Sequence, residues 1–202
     1  GGSGPALDLS GSQLGALGLA ATALSVLGMF NFLQYGTTAQ VSRATGAGEH
    51  ETAARLGAQA LWLSLAVGVV LAGLIAASAG PIVGLFGVEG KTADYAVLYL
   101  RIAAVGVPSA FVAIGGQGFL RGVSDLRTPL VIVIAGNVVN VVLELLFVYG
   151  FGWGIAGSAW GTAIAQTAMG VGMAWAILRR VGRGSVALRV ALARRLLGVG
   201  KF

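Results

Sequence analysis

Three polar side chains, Asn137, Asn140 and Glu144, interrupt the apolar stretch GNVVNVVLELLFVYG at residues 136–150. Their spacings of three, four and seven residues place them on one face of a helix. Desolvation disfavours the charged form of a carboxyl group, so an acid in an apolar setting takes up a proton readily. It can also join amide oxygens in binding a monovalent cation. The face is therefore a candidate binding site for H⁺ or Na⁺.

The solvent around this face follows from the composition. The chain has 202 residues, of which 56% are hydrophobic and 10% are charged, whereas soluble domains carry about 25% charged residues. Windows without Asp, Glu, Lys or Arg cover residues 9–42, 56–88, 102–120 and 145–178. A helix needs about 20 mostly apolar residues to cross a bilayer. The composition thus predicts an all-α integral membrane protein.

Breakers and charges divide the chain into five predicted spans, at residues 13–38, 51–79, 92–120, 129–149 and 156–178. The AGP sequence at 79–81 predicts the end of the second span. Thr128 is predicted to cap the fourth, with Pro129 as its first helical residue. The membrane bundle then covers residues 11–180. We expect a linker-like or non-native N-terminus at 1–10 and a basic cytoplasmic tail, or a linker to further spans, at 181–202.

Basic residues give the bundle an orientation. Of 13 Lys and Arg residues, all but Lys91 and Arg101 lie at the end of the bundle where spans one and two, and three and four, are joined and where the fifth ends. The positive-inside rule places that end in the cytoplasm, so the net charge of +6 is assigned to cytoplasmic loops and not to nucleic-acid binding. Counting from Pro129, Asn137, Asn140 and Glu144 lie about 12, 16 and 22 Å into a core about 30 Å thick. Such depth makes an acid a candidate for an ion pathway.

Structural roles compete with ion binding for these residues. The two asparagines can serve as hydrogen-bonding links between helices. Glu144 can form an ion pair with Arg101, which is about 14 Å into the third span. GWGIAG, residues 152–157, fits G-x-G-x-x-G, but no strand precedes it and no acid follows, so it is predicted to be an outer loop. No catalytic or metal-ligating arrangement occurs, and we expect neither an enzyme nor a cofactor.

Several stretches together resemble the multidrug and toxic compound extrusion (MATE) family, in its DinF-like bacterial branch. The longest is residues 118–166, which begins GFLRGVSDLRTPL and ends GIAGSAWGTAIAQ. LGALGLAATAL (14–24), YGTTAQVSRATGAGE (35–49) and YLRIAAVGVP (99–108) resemble the same family in the same order. The agreement extends over most of the chain, from about residue 11 to residue 180.

The resemblance implies a five-helix bundle similar to helices two to six of the N-terminal lobe of a twelve-helix transporter. It implies residence in a bacterial cytoplasmic membrane and export of cationic or amphipathic compounds in exchange for H⁺ or Na⁺. Family members carry an Asn and, four residues later, an Asp that line the cation site of this lobe. Asn140 and Glu144 match those positions, with Asn137 as a neighbouring candidate. The expected partners are the lipid bilayer, a small-molecule substrate, a first helix and a C-terminal lobe.

Two other functions fit the sequence. One is a flippase for lipid-linked precursors in the same superfamily, whose cavity would carry basic residues for anionic head groups; the outer half of the predicted spans offers Arg101 for this. The other is a non-transporting membrane scaffold. The sequence does not identify the residues that bind substrate.

Overall fold

The chain folds into a bundle of long helices, so the predicted all-α class is confirmed. A computed structural model describes residues 34–87 and 90–181. The described part of the first helix, α1, covers residues 34–46. It is followed by α2 (His50–Leu85), α3 (Lys91–Gly122), α4 (Arg127–Leu145) and α5 (Gly154–Val181). A π-helical turn, Leu146–Gly150, extends α4.

Four described helices are long and apolar enough to cross a bilayer: α2, α3, α4 with its π-helical turn, and α5. The predicted first span, 13–38, lies mostly outside the described residues, and α1 continues past Thr38 to residue 46. The expectations for residues 1–10 and, beyond the last residue of α5, for the tail at 181–202 also fall outside the described part. The apolar faces that these helices expose, with Trp62, Val131 and Val142 among the exposed side chains, suit contact with lipid.

Two further predicted helix ends are wrong. Pro81 does not end α2, which continues through it to Leu85, so the hydrogen bond and ring contact that proline disturbs fall close to the end of the helix. Thr128 does not cap α4, since the helix already begins at Arg127. The Thr128 N–H instead donates to Asp125 Oδ1 at 3.0 Å, so the preceding carboxylate satisfies a free donor of the first turn.

Helix α3 is the centre of the bundle and packs against its neighbours through small residues, mainly glycine. A methyl group on Gly115 would lie 2.1 Å from Ser64 Oγ of α2, and one on Gly170 of α5 would lie 2.4 Å from the Ser109 carbonyl oxygen. Such separations are possible only for glycine, which lets membrane helices approach closely. Helix α1 also packs against α3, and the hydroxyl of Thr38 in α1 donates a hydrogen bond to the Gly118 carbonyl at 3.1 Å.

The helices α4 and α5 form an antiparallel hairpin with a short turn, predicted to lie on the outer side of the membrane. Gly152 and Gly154 have φ angles of 68° and 54°, in the left-handed region that favours glycine. The rings of Phe147, Phe151 and Trp153 pack together across this turn, with centroids 5.1 to 5.8 Å apart. This turn is the segment that fits G-x-G-x-x-G, and its glycines serve backbone geometry.

Candidate functional site

The polar face of α4 lies along its contact with α5. Glycines bring the two backbones together: a methyl group on Gly161 would lie 3.2 Å from the Glu144 backbone nitrogen, and one on Gly157 would lie 2.9 Å from the Phe147 carbonyl oxygen. On the other side of Glu144, Gly136 receives the side chain of Met169. Glu144 is thus held at a helix–helix interface by the fit of small residues on α5.

Glu144 is half-buried and hydrogen-bonded. The hydroxyl of Ser158, in the second turn of α5, donates to Glu144 Oε1 at 2.5 Å. This distance lies at the short end for a hydroxyl bonded to a carboxylate, which is stronger than a bond between neutral groups. The acid therefore has a defined polar partner inside an otherwise apolar hairpin.

The two asparagines have different surroundings. Asn140 is half-buried and lies one helical turn before Glu144 and one turn after Gly136, which contacts Met169 of α5. Asn137 is exposed, and its side-chain amide donates to the Val133 carbonyl of its own helix at 2.8 Å. The structure thus brings Asn140 and Glu144 to one place and satisfies Asn137 locally.

Arg101 does not join this site. Its side chain is exposed on α3, and the ion pairs among residues 34–87 and 90–181 are Arg55–Glu51 and Arg180–Asp125. Because Ser158 and not Arg101 contacts Glu144, the alternative of an Arg101–Glu144 ion pair is not seen in the described part of the chain.

The opposite end of the hairpin carries a second polar cluster, around Asp125. Partial burial raises the pKa of Asp125, but hydrogen bonds from Thr128 and the guanidinium of Arg180 outweigh it and hold the pKa below its usual value of 3.8. The ion pair between Asp125 and Arg180 joins the α3–α4 loop to the last turn of α5. It places the predicted cytoplasmic ends of three helices side by side.

Ser158 is the site residue that sequence reasoning missed. Serine is common in membrane helices and gives no signal by itself, and it lies 14 residues beyond Glu144. A signal existed in the geometry of the hairpin. When two antiparallel helices share a short turn, residues at similar distances from the turn face each other, and residue 151 lies midway between 144 and 158.

The sequence matches the model of the MatE family over residues 6–146. Among curated proteins it is similar to DNA damage-inducible protein F of Escherichia coli (strain K12), with 30% identity over 195 residues, covering 93% of the chain and 42% of that relative. It is also similar to multidrug resistance protein PmpM of Pseudomonas aeruginosa, with 31% identity over 141 residues, covering 68% of the chain and 30% of that relative. The chain therefore spans less than half the length of either.

Solved structures agree with the sequence comparison. The crystal structure of MATE in complex with MaD3S superimposes with a TM-score of 0.73 and 26% identity, over 86% of the chain and 39% of that structure. A MOP superfamily transporter from Pyrococcus furiosus superimposes with a TM-score of 0.71 at the same identity, over 85% of the chain and 38% of its own. The similarity thus covers the arrangement of the helices as well as the sequence.

Proposed function

Because the chain belongs to the MatE family, we propose that it forms part of the N-terminal lobe of a secondary antiporter in the bacterial cytoplasmic membrane. The transporter exports cationic or amphipathic compounds in exchange for H⁺ or Na⁺. Glu144 binds the coupling ion, Asn140 orients it from one turn away, and Asn137 assists. The lobe works with a first helix and a C-terminal lobe, since alternating access needs two halves that move around a central site.

One observation carries this proposal: the carboxyl of Glu144 lies half-buried at the α4–α5 contact with a hydroxyl donor at 2.5 Å. Acids in membrane-spanning helices are costly and belong by default to ion or substrate pathways. A neighbouring amide at Asn140 adds an oxygen ligand of the kind that hard cations prefer. The relatives named multidrug resistance protein PmpM and multidrug export protein MepA support export as the activity.

The test compares Glu144→Gln with wild type in the full-length protein, reconstituted in vesicles with a fluorescent cationic dye. We expect dye export to lose its dependence on the imposed pH or Na⁺ gradient, because glutamine keeps the shape but can neither ionise nor exchange a proton. The matched control is Asp94→Asn, which neutralises an exposed acid in the first turn of α3 and should leave coupling intact.

Thermal unfolding in detergent separates transport from a purely structural role. Glu144→Gln should unfold near the wild-type temperature if the acid serves coupling. Gradient-dependent export that persists in this variant, together with a lowered unfolding temperature, would show that Glu144 only links helices and would favour the scaffold. Transport of a lipid-linked anionic precursor in place of the dye would favour the flippase.

A further inference from the structure

The fold brings the side chain of Ser158 into hydrogen-bonding contact with the carboxyl group of Glu144. We infer that Ser158 is a positioning residue for the coupling carboxyl and that its oxygen becomes a ligand when the site holds a cation. The inference rests on the proposed function of Glu144 and adds a residue from a second helix, α5. With it, the site bridges α4 and α5 and is not confined to the polar face of α4.

Backbone geometry makes this contact specific to position 158. Gly157 and Gly161 are buried against the Phe147 carbonyl and the Glu144 backbone, so α5 lies close to α4 on either side of Ser158. At that separation the short side chain of Ser158 reaches the carboxyl group of Glu144. The Glu144 side chain is long enough to extend along the interface to Ser158 Oγ, so its carboxyl group contacts both helices.

A hydroxyl suits an ion site that must serve two states. It has one donor and two acceptor lone pairs and rotates to match its partner. In the structure it donates to Glu144 Oε1, which stabilises an ionised carboxylate. It can accept a hydrogen bond from a protonated carboxyl, and its lone pairs can coordinate Na⁺, which prefers oxygen ligands as other hard cations do.

Charged groups do not compete with this hydroxyl around Glu144 in the described ranges. The basic residues of α5 are Arg179 and Arg180 in its last turn, at the opposite end from Ser158. Arg101 on α3 is exposed and forms no ion pair within residues 34–87 and 90–181. The carboxyl group therefore depends on the Ser158 hydroxyl for its nearest described polar contact.

The test is Ser158→Ala, with Ser158→Thr as the variant that keeps the hydroxyl. The matched control is Thr167→Ala, which removes a hydroxyl of the same helix that donates to the Ala163 carbonyl of its own backbone. The first readout is the infrared C=O stretching band of protonated carboxyl groups in the full-length protein. We expect a component that Glu144→Gln abolishes, that Ser158→Ala moves to higher frequency, and that Thr167→Ala and Ser158→Thr leave in place.

The second readout is the ion dependence of dye export. In Ser158→Ala the half-maximal concentration of the driving ion should change about tenfold, as expected for loss of a hydrogen bond to a charged group, while Ser158→Thr stays near wild type. An unshifted carboxyl band in Ser158→Ala, or an unchanged ion dependence, would overturn the assignment.

Failure of this inference is distinct from failure of the proposed function. If Glu144→Gln abolishes coupling but Ser158→Ala behaves as wild type in both readouts, Glu144 retains its role and Ser158 has none. If Glu144→Gln leaves coupling intact, the proposed function fails whatever the infrared band shows.

Discussion

The helices α3 and α4 are both apolar and membrane-spanning in length, yet they use their side chains in opposite ways. Helix α3 is packed between α2 and α5 and buries a series of small residues, among them Gly106, Gly115 and Gly116. Helix α4 buries only Pro129 and Gly136 among its residues and carries the polar face of Asn140 and Glu144. The difference separates a helix that holds the bundle together from one that presents chemistry at its contact with α5.

The largest effect should follow from adding bulk to the α3 contacts. Gly170→Ala places a methyl group 2.4 Å from the Ser109 carbonyl oxygen, so α5 must move away from α3. We expect a loss of about 1–3 kcal/mol, as is typical of overpacked cores, seen as a lower unfolding temperature in detergent. The control is Gly73→Ala, where nothing lies within 4 Å. Equal unfolding temperatures for the two variants would contradict the role assigned to α3.

A functional effect without unfolding should follow from trimming the polar face of α4. Asn140→Ala removes an amide one turn from Glu144, and we expect the half-maximal ion concentration for export to change about three- to tenfold. Asn137→Ala removes an exposed amide that bonds its own backbone and should change it much less. Vesicle export at a series of pH and Na⁺ concentrations measures both. If Asn137→Ala has the larger effect, the assignment of Asn140 is reversed.

The smallest effect is expected at the predicted cytoplasmic end, where the α3–α4 loop meets the last turn of α5. Because the pKa of Asp125 is lower in the fold than in the unfolded chain, its ionised form stabilises the fold above a pH of about 3.8. This contribution is lost as the pH falls through the folded pKa. Asp125→Asn should therefore lower the unfolding temperature at neutral pH, by the equivalent of less than about 1 kcal/mol for an ion pair open to solvent on its Arg180 side.

The pH dependence identifies this effect. The difference in unfolding temperature between Asp125→Asn and wild type should vanish in acid, where both side chains are neutral. The control is Glu51→Gln, which breaks the exposed Arg55–Glu51 pair and should change stability less at any pH. A difference for Asp125→Asn that persists unchanged in acid would show that the ion pair is not its cause.

The sequence predicted which segments form helices more reliably than where the helices end. Long windows without charge predicted α2, α3 and α5, and breakers and charges delimited α4, because only a helix satisfies its own backbone across a bilayer. The stop assigned to Pro81 was wrong because proline costs one hydrogen bond, which a terminal turn can lose. The cap assigned to Thr128 was wrong because α4 already begins at Arg127, and the Asp125 carboxylate accepts a hydrogen bond from the Thr128 N–H within the first turn.

The candidate site was predictable in part for a related reason. Glu144 and Asn140 differ in polarity from everything around them, so a scan along the chain finds them. Ser158 is ordinary in its own segment and acquires meaning only through the register between α4 and α5. That register depends on Gly157 and Gly161, whose contacts are tertiary and leave no periodic signal in the sequence.

The π-helical turn Leu146–Gly150 has a consequence for insertions and deletions in this hairpin. Such a turn accommodates one residue more than an α-helical turn, and one residue corresponds to a rotation of about 100° around the helix axis. If one residue were deleted from this segment, an ordinary α-helical turn could replace the π-helical turn. Glu144 would then keep its contact with Ser158 of α5, while the side chains of Tyr149 and Phe151 would point in new directions. The surplus residue therefore lets this turn vary in length and orientation without disturbing the candidate site around Glu144.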